Sequence, residues 1–279
     1  MVNEISPGPD LLKTTLAHLA TLAMLSSVSA AASACQDLTM AQGGQVVQVT
    51  DGDTIVLSDG RIIRMIGTQA PKLALGREDF DTWPQAEQSK QALADLVLGK
   101  DVQLGFGGER EDRHGRVLAH VMVQTPDGTL WAQQAMVAAG LARVYSFPDN
   151  RKCLDLLFAA EGRARVSGLG IWSDPYYSVR LADQPAALLA RVGHYELVEG
   201  RILKAENRGG RVYFNFGRSW KQDFTAVMEA PALRLFVADG RDPLVLEGAL
   251  VRIRGWVDDR DGPRIEITHP EQIEVLATR

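Results

Sequence analysis

An excess of positive charge is the first thing this sequence lacks. Its 279 residues carry 30 lysines and arginines against 35 aspartates and glutamates, a net charge of -5. A protein that coats nucleic acid generically would be basic, so that class is disfavoured, while local basic clusters stay free to bind phosphates. Cysteine is scarce too. Cys35 and Cys153 are the only two, and no Cys/His cluster has zinc-binding spacing. Their long separation does not establish a disulfide, and Cys153 reads as a buried thiol. Long hydrophobic runs are missing except near the N-terminus. What remains is ordinary for a soluble globular protein, 46% hydrophobic and 23% charged. The length suits one large or two modest domains, each able to bury a core.

The N-terminal exception is "LAHLATLAMLSSVSA", preceded by Lys13 and followed by Ala32-Ser33-Ala34. A basic residue, a short apolar run and a small-residue cleavage site describe a secretory signal peptide over residues 1–34. Glu4 and Asp10 weaken the positive leader, and a buried N-terminal helix is the alternative. The run is too short for a comfortable membrane span. "ASAC" also invites a lipoprotein reading, with Cys35 lipidated after cleavage. Either route implies an exported protein, periplasmic or secreted, with no membrane span in the mature chain.

A first block covers residues 45–179. "QVVQV", "TIVL" and "RIIRMIG" are short, β-branched and separated by "TDGD" and "SDG", so they read as strands. Asp59-Gly60 marks a hairpin. "PQAEQSKQALADLVLG" is helical, with Pro84 at its first position, Gly99 at its end and an apolar stripe of Ala86, Leu93, Leu96 and Val97. "DVQLGF" and "RVLAHVMV" alternate as strands. "LWAQQAMVAAG" and "CLDLLFAAEGRARVSG" read as helices ended by Gly140 and Gly168. Trp83, Trp131 and Trp172 read as core anchors. Strands first and helices at one end give an α+β barrel.

Five segments of this block occur in a telling order: "VTDGDTIVL", "RMIGTQAPK", "DRHGRVLAHV", "WAQQAMVAAGLARV" and "AAEGRARVSGLGIW". Together they resemble the staphylococcal nuclease, or thermonuclease, family. The resemblance implies a five-stranded OB-type barrel with three helices, and cleavage of DNA or RNA phosphodiesters, generally with calcium. Matched residue by residue, Arg64 and Arg116 fall on the family's two catalytic arginines. Asp53 falls on a metal-ligating aspartate, with Asp51 a nearby acid. His114 and Tyr145 fall where the family places aromatic substrate contacts. Ala70 offers a backbone carbonyl where the family also uses one.

Two positions depart from the pattern. Gln69 stands where the family has its second ligating aspartate, and Lys72 where it has the glutamate assigned as general base. The chemistry explains why this matters. Attack on a phosphodiester builds negative charge, which paired guanidiniums and a hard cation neutralise, while a base activates water. Losing the base typically costs ~10²–10⁴ in rate. A lysine ammonium about 5 Å from a divalent ion opposes it by roughly 6 kcal/mol at an effective dielectric of ~20. Calcium in the family position therefore conflicts with Lys72, unless Glu78, Asp79 and Asp81 in the following loop rebuild a site. The expected alternative is that the Lys72 ammonium replaces the cation, pairing with Asp53 near Arg64 and Arg116.

A second block, 194–276, follows the linker "DQPAALLAR". "YELVEGRILKAENRGGRVYFNFG", "DFTAVM", "ALVRIRGWVDD" and "PRIEITHPEQIEVL" supply strands, and "APALRLFVADG" is a short helix or an extended link. This suggests a second β-rich, OB-like domain. In "VRIRGWV", Val251, Ile253 and Val257 take one face while Arg252, Arg254 and Trp256 take the other. Arginine beside an aromatic ring is what single-strand binders present; the alternative is a face whose arginines pair with acids.

Three readings stay open. The first is an exported thermonuclease-family hydrolase acting on DNA or RNA, with an altered metal and base site. The second is a non-catalytic nucleic-acid or polyanion binder on the same frame. The third is an envelope module that contacts protein partners.

Overall fold

The structure, a computed structural model, describes Cys35 and residues 37–278. All lie within one compact unit, Ala34–Arg279. The expected signal peptide, residues 1–34, lies outside the described residues.

The first barrel starts with β1 (Thr39–Asp51), β2 (Thr54–Leu57) and β3 (Ile62–Met65), and continues through the short β4 (Gly67–Gln69). Helix α1 (Ala86–Val97) leads to β5 (Asp101–Phe106), β6 (Val117–Thr125) and β7 (Gly128–Trp131). Then come α2 (Ala132–Ala138), β8 (Arg143–Tyr145) and α3 (Leu154–Val166). The sheet runs β3-β2-β1-β5-β6-β7, and a parallel β3–β6 pairing closes its first five strands into a barrel. The β-branched and leucine positions point inward: Val46, Ile55, Ile63, Leu104 and Val121 are fully buried. α1 is anchored by Ala86, Ser89, Leu93 and Val97. It begins two residues after Pro84, because Gln85 takes a left-handed conformation before the first turn. Of the three tryptophans expected in the core, Trp131 is buried, and Trp83 and Trp172 are half-buried.

β1 starts six residues before the expected position. Its first half pairs with β5 and its second half with β2, with an irregularity between Gln42 and Gly44. Gly44 has φ 137°, which side-chain-bearing residues rarely adopt. A Cβ at Gly43 would sit 2.5 Å from the Val102 carbonyl oxygen. These two glycines therefore let one strand serve two neighbours.

Cys153 is not a thiol. It forms a disulfide with Cys35, with Cα atoms 5.4 Å apart and 118 residues of sequence separation. Cross-linking a loop of that length removes unfolded-state entropy equivalent to about 4–5 kcal/mol. A sulfur in a disulfide cannot also carry a thioether lipid, so the disulfide and the lipid anchor at Cys35 exclude one another.

The second barrel follows β9 (Arg180–Leu181) and α4 (Pro185–Leu189). Its strands are β10 (Tyr195–Arg201), β11 (Lys204–Arg208), β12 (Arg211–Asn215) and β13 (Thr225–Met228). Helix α5 (Ala230–Ala238) precedes β14 (Leu250–Asp258), β15 (Arg264–Ile267) and β16 (Ile273–Ala277). The sheet order is β11-β12-β13-β15-β14-β10-β9, with β16 on β14. β10 and β11 are halves of one strand, broken at Ile202–Leu203, so the sheet curls back on itself. β13 and β15 pair in parallel, as β3 and β6 do in the first barrel. In both barrels a helix lies between the third strand and the fourth, the OB arrangement. "VYFNFG" alternates as expected, with Val212, Phe214 and Phe216 buried. The expected linker is not a bare tether: α4 places Leu188 in the second core, which also includes Ala182.

Candidate phosphodiester site

The pocket forms where the β1–β2 turn meets the end of β4. Asp53 is wholly buried and carries most of the contacts. Its Oδ2 accepts from the Ala70 backbone N–H at 2.8 Å, and its Oδ1 accepts from Thr54 Oγ1 at 3.1 Å. Lys72 Nζ donates to both Asp53 oxygens, at 2.6 and 2.7 Å, and to Asp51 Oδ2 at 3.0 Å. Arg64 Nη2 lies 3.3 Å from Asp53 Oδ2. Burial alone would push the Asp53 carboxyl up. The charges of Arg64 and Lys72 overcome that and hold it well below the usual carboxylate range. Asp51 moves the other way: burial and the Asp53 charge raise it, and Lys72 offsets this only in part.

Arg64 comes from the middle of β3, and its guanidinium is tightly held. It donates to the Thr68 carbonyl at 2.6 Å and to the Met65 carbonyl. Arg64 pairs with Leu118 across β3–β6, and Arg116 lies in the loop just before β6. Its Nε donates to Asp112 Oδ2 at 2.7 Å, while Asp112 Oδ1 accepts from the backbone of His114 and Arg116. The Asp112 carboxyl is lowered, because hydrogen bonds and charge from Arg116 outweigh its desolvation. Arg116 remains about one-third exposed. His114 is exposed on the turn and touches Arg113.

Gln69 does not face the cation position. Its Oε1 accepts from Arg143 Nη2 at 3.0 Å. Arg143, opposite Gln69 in the β4–β8 ladder, is buried between the rings of Tyr177 and Tyr195, 5.4 and 5.2 Å from their centroids. Tyr195 belongs to the second barrel, which is thus one side chain away from the replaced ligand position. Sequence reading missed Arg143 and Tyr195. The signal for Arg143 was the alternation Arg143, Tyr145 on one strand face; nothing local marked Tyr195.

The donor set does not fit a divalent cation. An ammonium spans the two acids, and the second ligand position is an amide turned toward Arg143. Glu78, Asp79 and Asp81 are exposed in the following loop. No group of three potential metal-binding side chains occurs among the described residues.

The basic-aromatic face expected on β14 is not open. Arg254 is 1% exposed and pairs with Glu161 of α3 at 2.9 Å. Arg252 pairs with Glu199 and with Glu274, at 2.8 and 2.6 Å from Nε and Nη1. That face of β14 lies against α3 and β8 of the first barrel. Period-two alternation separates the faces of a strand but does not say what covers them, so Arg252 and Arg254 are seam residues. Trp256 differs: it is 44% exposed, and its Nε1 donates to the Tyr145 hydroxyl at 3.0 Å.

Known proteins agree with the first barrel. The family model for staphylococcal nuclease homologues matches residues 62–174. An uncharacterized endonuclease of Escherichia coli is 36% identical over 134 residues, covering 47% of this chain and 77% of the relative. Endonuclease YncB of Bacillus subtilis is 33% identical over 132 residues, covering 46% and 60%. The thermonuclease of Staphylococcus hyicus is 27% identical over 133 residues, covering 47% and 75%. Through its first barrel, this chain belongs to the staphylococcal nuclease family.

Proposed function

We propose that this protein is an exported member of the nuclease family that engages nucleic-acid phosphodiesters without a divalent cation. One observation carries the reading: the Lys72 ammonium lies 2.6 and 2.7 Å from the two Asp53 oxygens, where a cation would neutralise charge. Of its three contacts, the one to Asp51 is the longest, at 3.0 Å. A phosphoryl oxygen takes that proton donor when substrate enters. Arg116, on the exposed side, leaves Asp112 to clamp the same phosphate. Arg64 supports Asp53 from behind.

Hydrolysis in such a pocket is slow, because position 72 holds no carboxylate to take the proton of the attacking water. The reduction belongs to the ~10²–10⁴ range of a lost general base. The same observation favours a second reading, binding without cleavage. A time course on labelled single-stranded DNA and RNA, run in calcium, magnesium, manganese and chelator, tests both. Equal and slow cleavage in every condition is the expected result. Binding with no product supports the second reading. Cleavage that needs a metal and proceeds rapidly refutes both.

Export is supported by the apolar run before Ala34 and by the Cys35–Cys153 disulfide, a bond typical of oxidising compartments. Protein recovered from its native host should begin at Cys35, contain no free thiol and carry no diacylglycerol mass. An intact Met1 terminus on the abundant form would sink this part of the proposal.

A further inference from the structure

His120 has no role in the pocket and no partner in the fold. It lies in the middle of β6 and is 1% exposed, yet neither ring nitrogen makes a hydrogen bond. Taking an unpaired polar group out of water costs free energy, so buried imidazoles normally keep a partner. Burial pushes its pKa down to about 4. At neutral pH the ring is therefore uncharged, and one nitrogen offers an unused lone pair.

Strand register places sulfur beside that nitrogen. Gly105 of β5 is opposite His120, and Met40 of β1 is opposite Gly105. Paired residues share a face of the sheet, so the three form one row. Gly105 contributes no side chain, and Met40 leans into the space: a Cβ at Gly105 would lie 3.2 Å from the Met40 sulfur. Leu38 fills the rest of it, 2.6 Å from the same point. Met122 follows His120 by two positions on the same face, about 7 Å along the strand, a span that its three rotatable bonds can cover. Trp131 is opposite Met122, and its ring stands edge to face with His120, centroids 5.2 Å apart. Trp131 Nε1 is also buried without a partner. Met122 and Trp131 are 5% exposed, whereas Met40 is 47% exposed and gives the row an opening to solvent.

We propose that His120, Met122 and Met40 form a binding site for a soft monovalent cation, copper(I), with the Trp131 ring beside it. Thioether sulfur selects copper(I) over hard cations such as calcium and magnesium, and imidazole is a good companion ligand. The indole ring adds attraction for a cation. The site differs from a cluster of histidine, cysteine and carboxylate, of which the described residues hold none, because two of its three donors are thioethers. Both cysteines are joined in the disulfide, so no thiolate competes for the ion. Met40 meets the ion first and passes it inward to Met122 and His120. A bound ion then ties the start of β1 to β6. The site shares no residue with the phosphodiester pocket and does not depend on the reading of that pocket.

The test uses the disulfide-intact protein. It is titrated without oxygen against copper(I) held by a coloured competing chelator, and separately with silver(I), a soft monovalent ion without redox chemistry under these conditions. Carbon-13 labels on the methionine methyl groups report which sulfurs are bound. The protein should take one equivalent, and the Met40 and Met122 methyl signals should shift while those of Met65, Met136 and Met228 stay in place. Excess calcium should not displace the ion. Met40→Leu and Met122→Leu conserve volume and so keep the fold. Each should weaken binding about tenfold or more, at least the scale of losing a residue that only supports a ligand. His120→Phe should abolish binding, and if that variant does not fold, the two methionine variants and the methyl shifts decide. The proposal is overturned if the parent takes no copper(I) from the chelator, if both methionine variants bind as the parent does, or if the shifts fall on other methionines.

Discussion

Replacing Lys72 by Glu should convert a calcium-indifferent pocket into a calcium-dependent one. In the parent, the ammonium that bridges Asp51 and Asp53 repels a divalent ion, at roughly 6 kcal/mol for a 5 Å separation and an effective dielectric of ~20. Lys72→Glu removes that repulsion and adds a third carboxylate beside the two acids. Calcium at 100 times its dissociation constant should then raise stability by ~2.7 kcal/mol, while the parent melts at the same temperature with or without it. The partner change, Gln69→Asp, should do little alone. Arg143 Nη2 is 3.0 Å from the Gln69 oxygen and would capture the new carboxylate as a buried ion pair. Calcium-dependent cleavage of single-stranded DNA should rise about tenfold or more in the Gln69→Asp, Lys72→Glu pair, beyond the sum of the single effects. Adding Arg64→Ala should abolish the gain. Two results would count against this account: a calcium-dependent rise in the parent that Asp53→Ala removes, or a folded double variant that binds calcium yet cleaves no faster.

The seam between the barrels is the second place where one side chain has a large effect. Arg254 sits 4.4 Å over the Phe158 ring, donates to Glu161 at 2.9 Å and reaches the Val144 carbonyl at 3.3 Å. Burial by itself would weaken its hold on the proton, but Glu161 more than offsets that and raises it. Arg254→Ala leaves the Glu161 carboxylate buried without its guanidinium, at a cost of about 3–5 kcal/mol. For a chain of this size that is roughly a 10 °C fall in melting temperature. Arg254→Met together with Glu161→Gln should recover at least half of the loss. The amide still accepts from the Val144 N–H, which the Glu161 Oε1 does at 2.7 Å, and no unpaired charge remains. Differential scanning calorimetry decides it. A single Arg254→Ala variant that melts with the parent would show that the seam does not depend on this pair.

Both experiments address a coupling that the topology creates. β8 carries Arg143 toward Gln69 and Tyr145 toward Trp256 on one strand face, so the pocket and the second barrel share a wall. The amide at position 69 is thus not an idle loss of a ligand. It satisfies a buried guanidinium that Tyr177 and Tyr195 flank with aromatic faces. Burial lowers the Arg143 proton affinity.

Local pattern in the sequence was enough to determine the first barrel. Strand alternation, Asp59-Gly60 and the apolar stripe of α1 place its five barrel strands and three helices, because they encode which face is buried and where the chain turns, while the short β4, β7 and β8 carry no such signal. That Lys72 meets Asp53, 19 residues away, followed from the family resemblance of the two motifs rather than from local pattern. The inward Val212, Phe214 and Phe216 were legible from alternation, whereas "APALRLFVADG" suits a short helix or an extended link and only the fold makes it α5. Tertiary structure alone decided what lies across each outward face. Arg252 and Arg254 read as a binding strip until Glu161 of the first barrel meets Arg254 and Glu199 and Glu274 of the second meet Arg252, and Gln69 read as a degraded ligand until Arg143 meets it. The pairing of Cys35 with Cys153 needed the fold as well, because a 118-residue separation carries no signal until the chain ahead of β1 meets the start of α3. The physical reason is common to all of these. Periodicity and turn chemistry act within a few residues, whereas the partner of a buried charge or sulfur is set by which distant surface removes it from water.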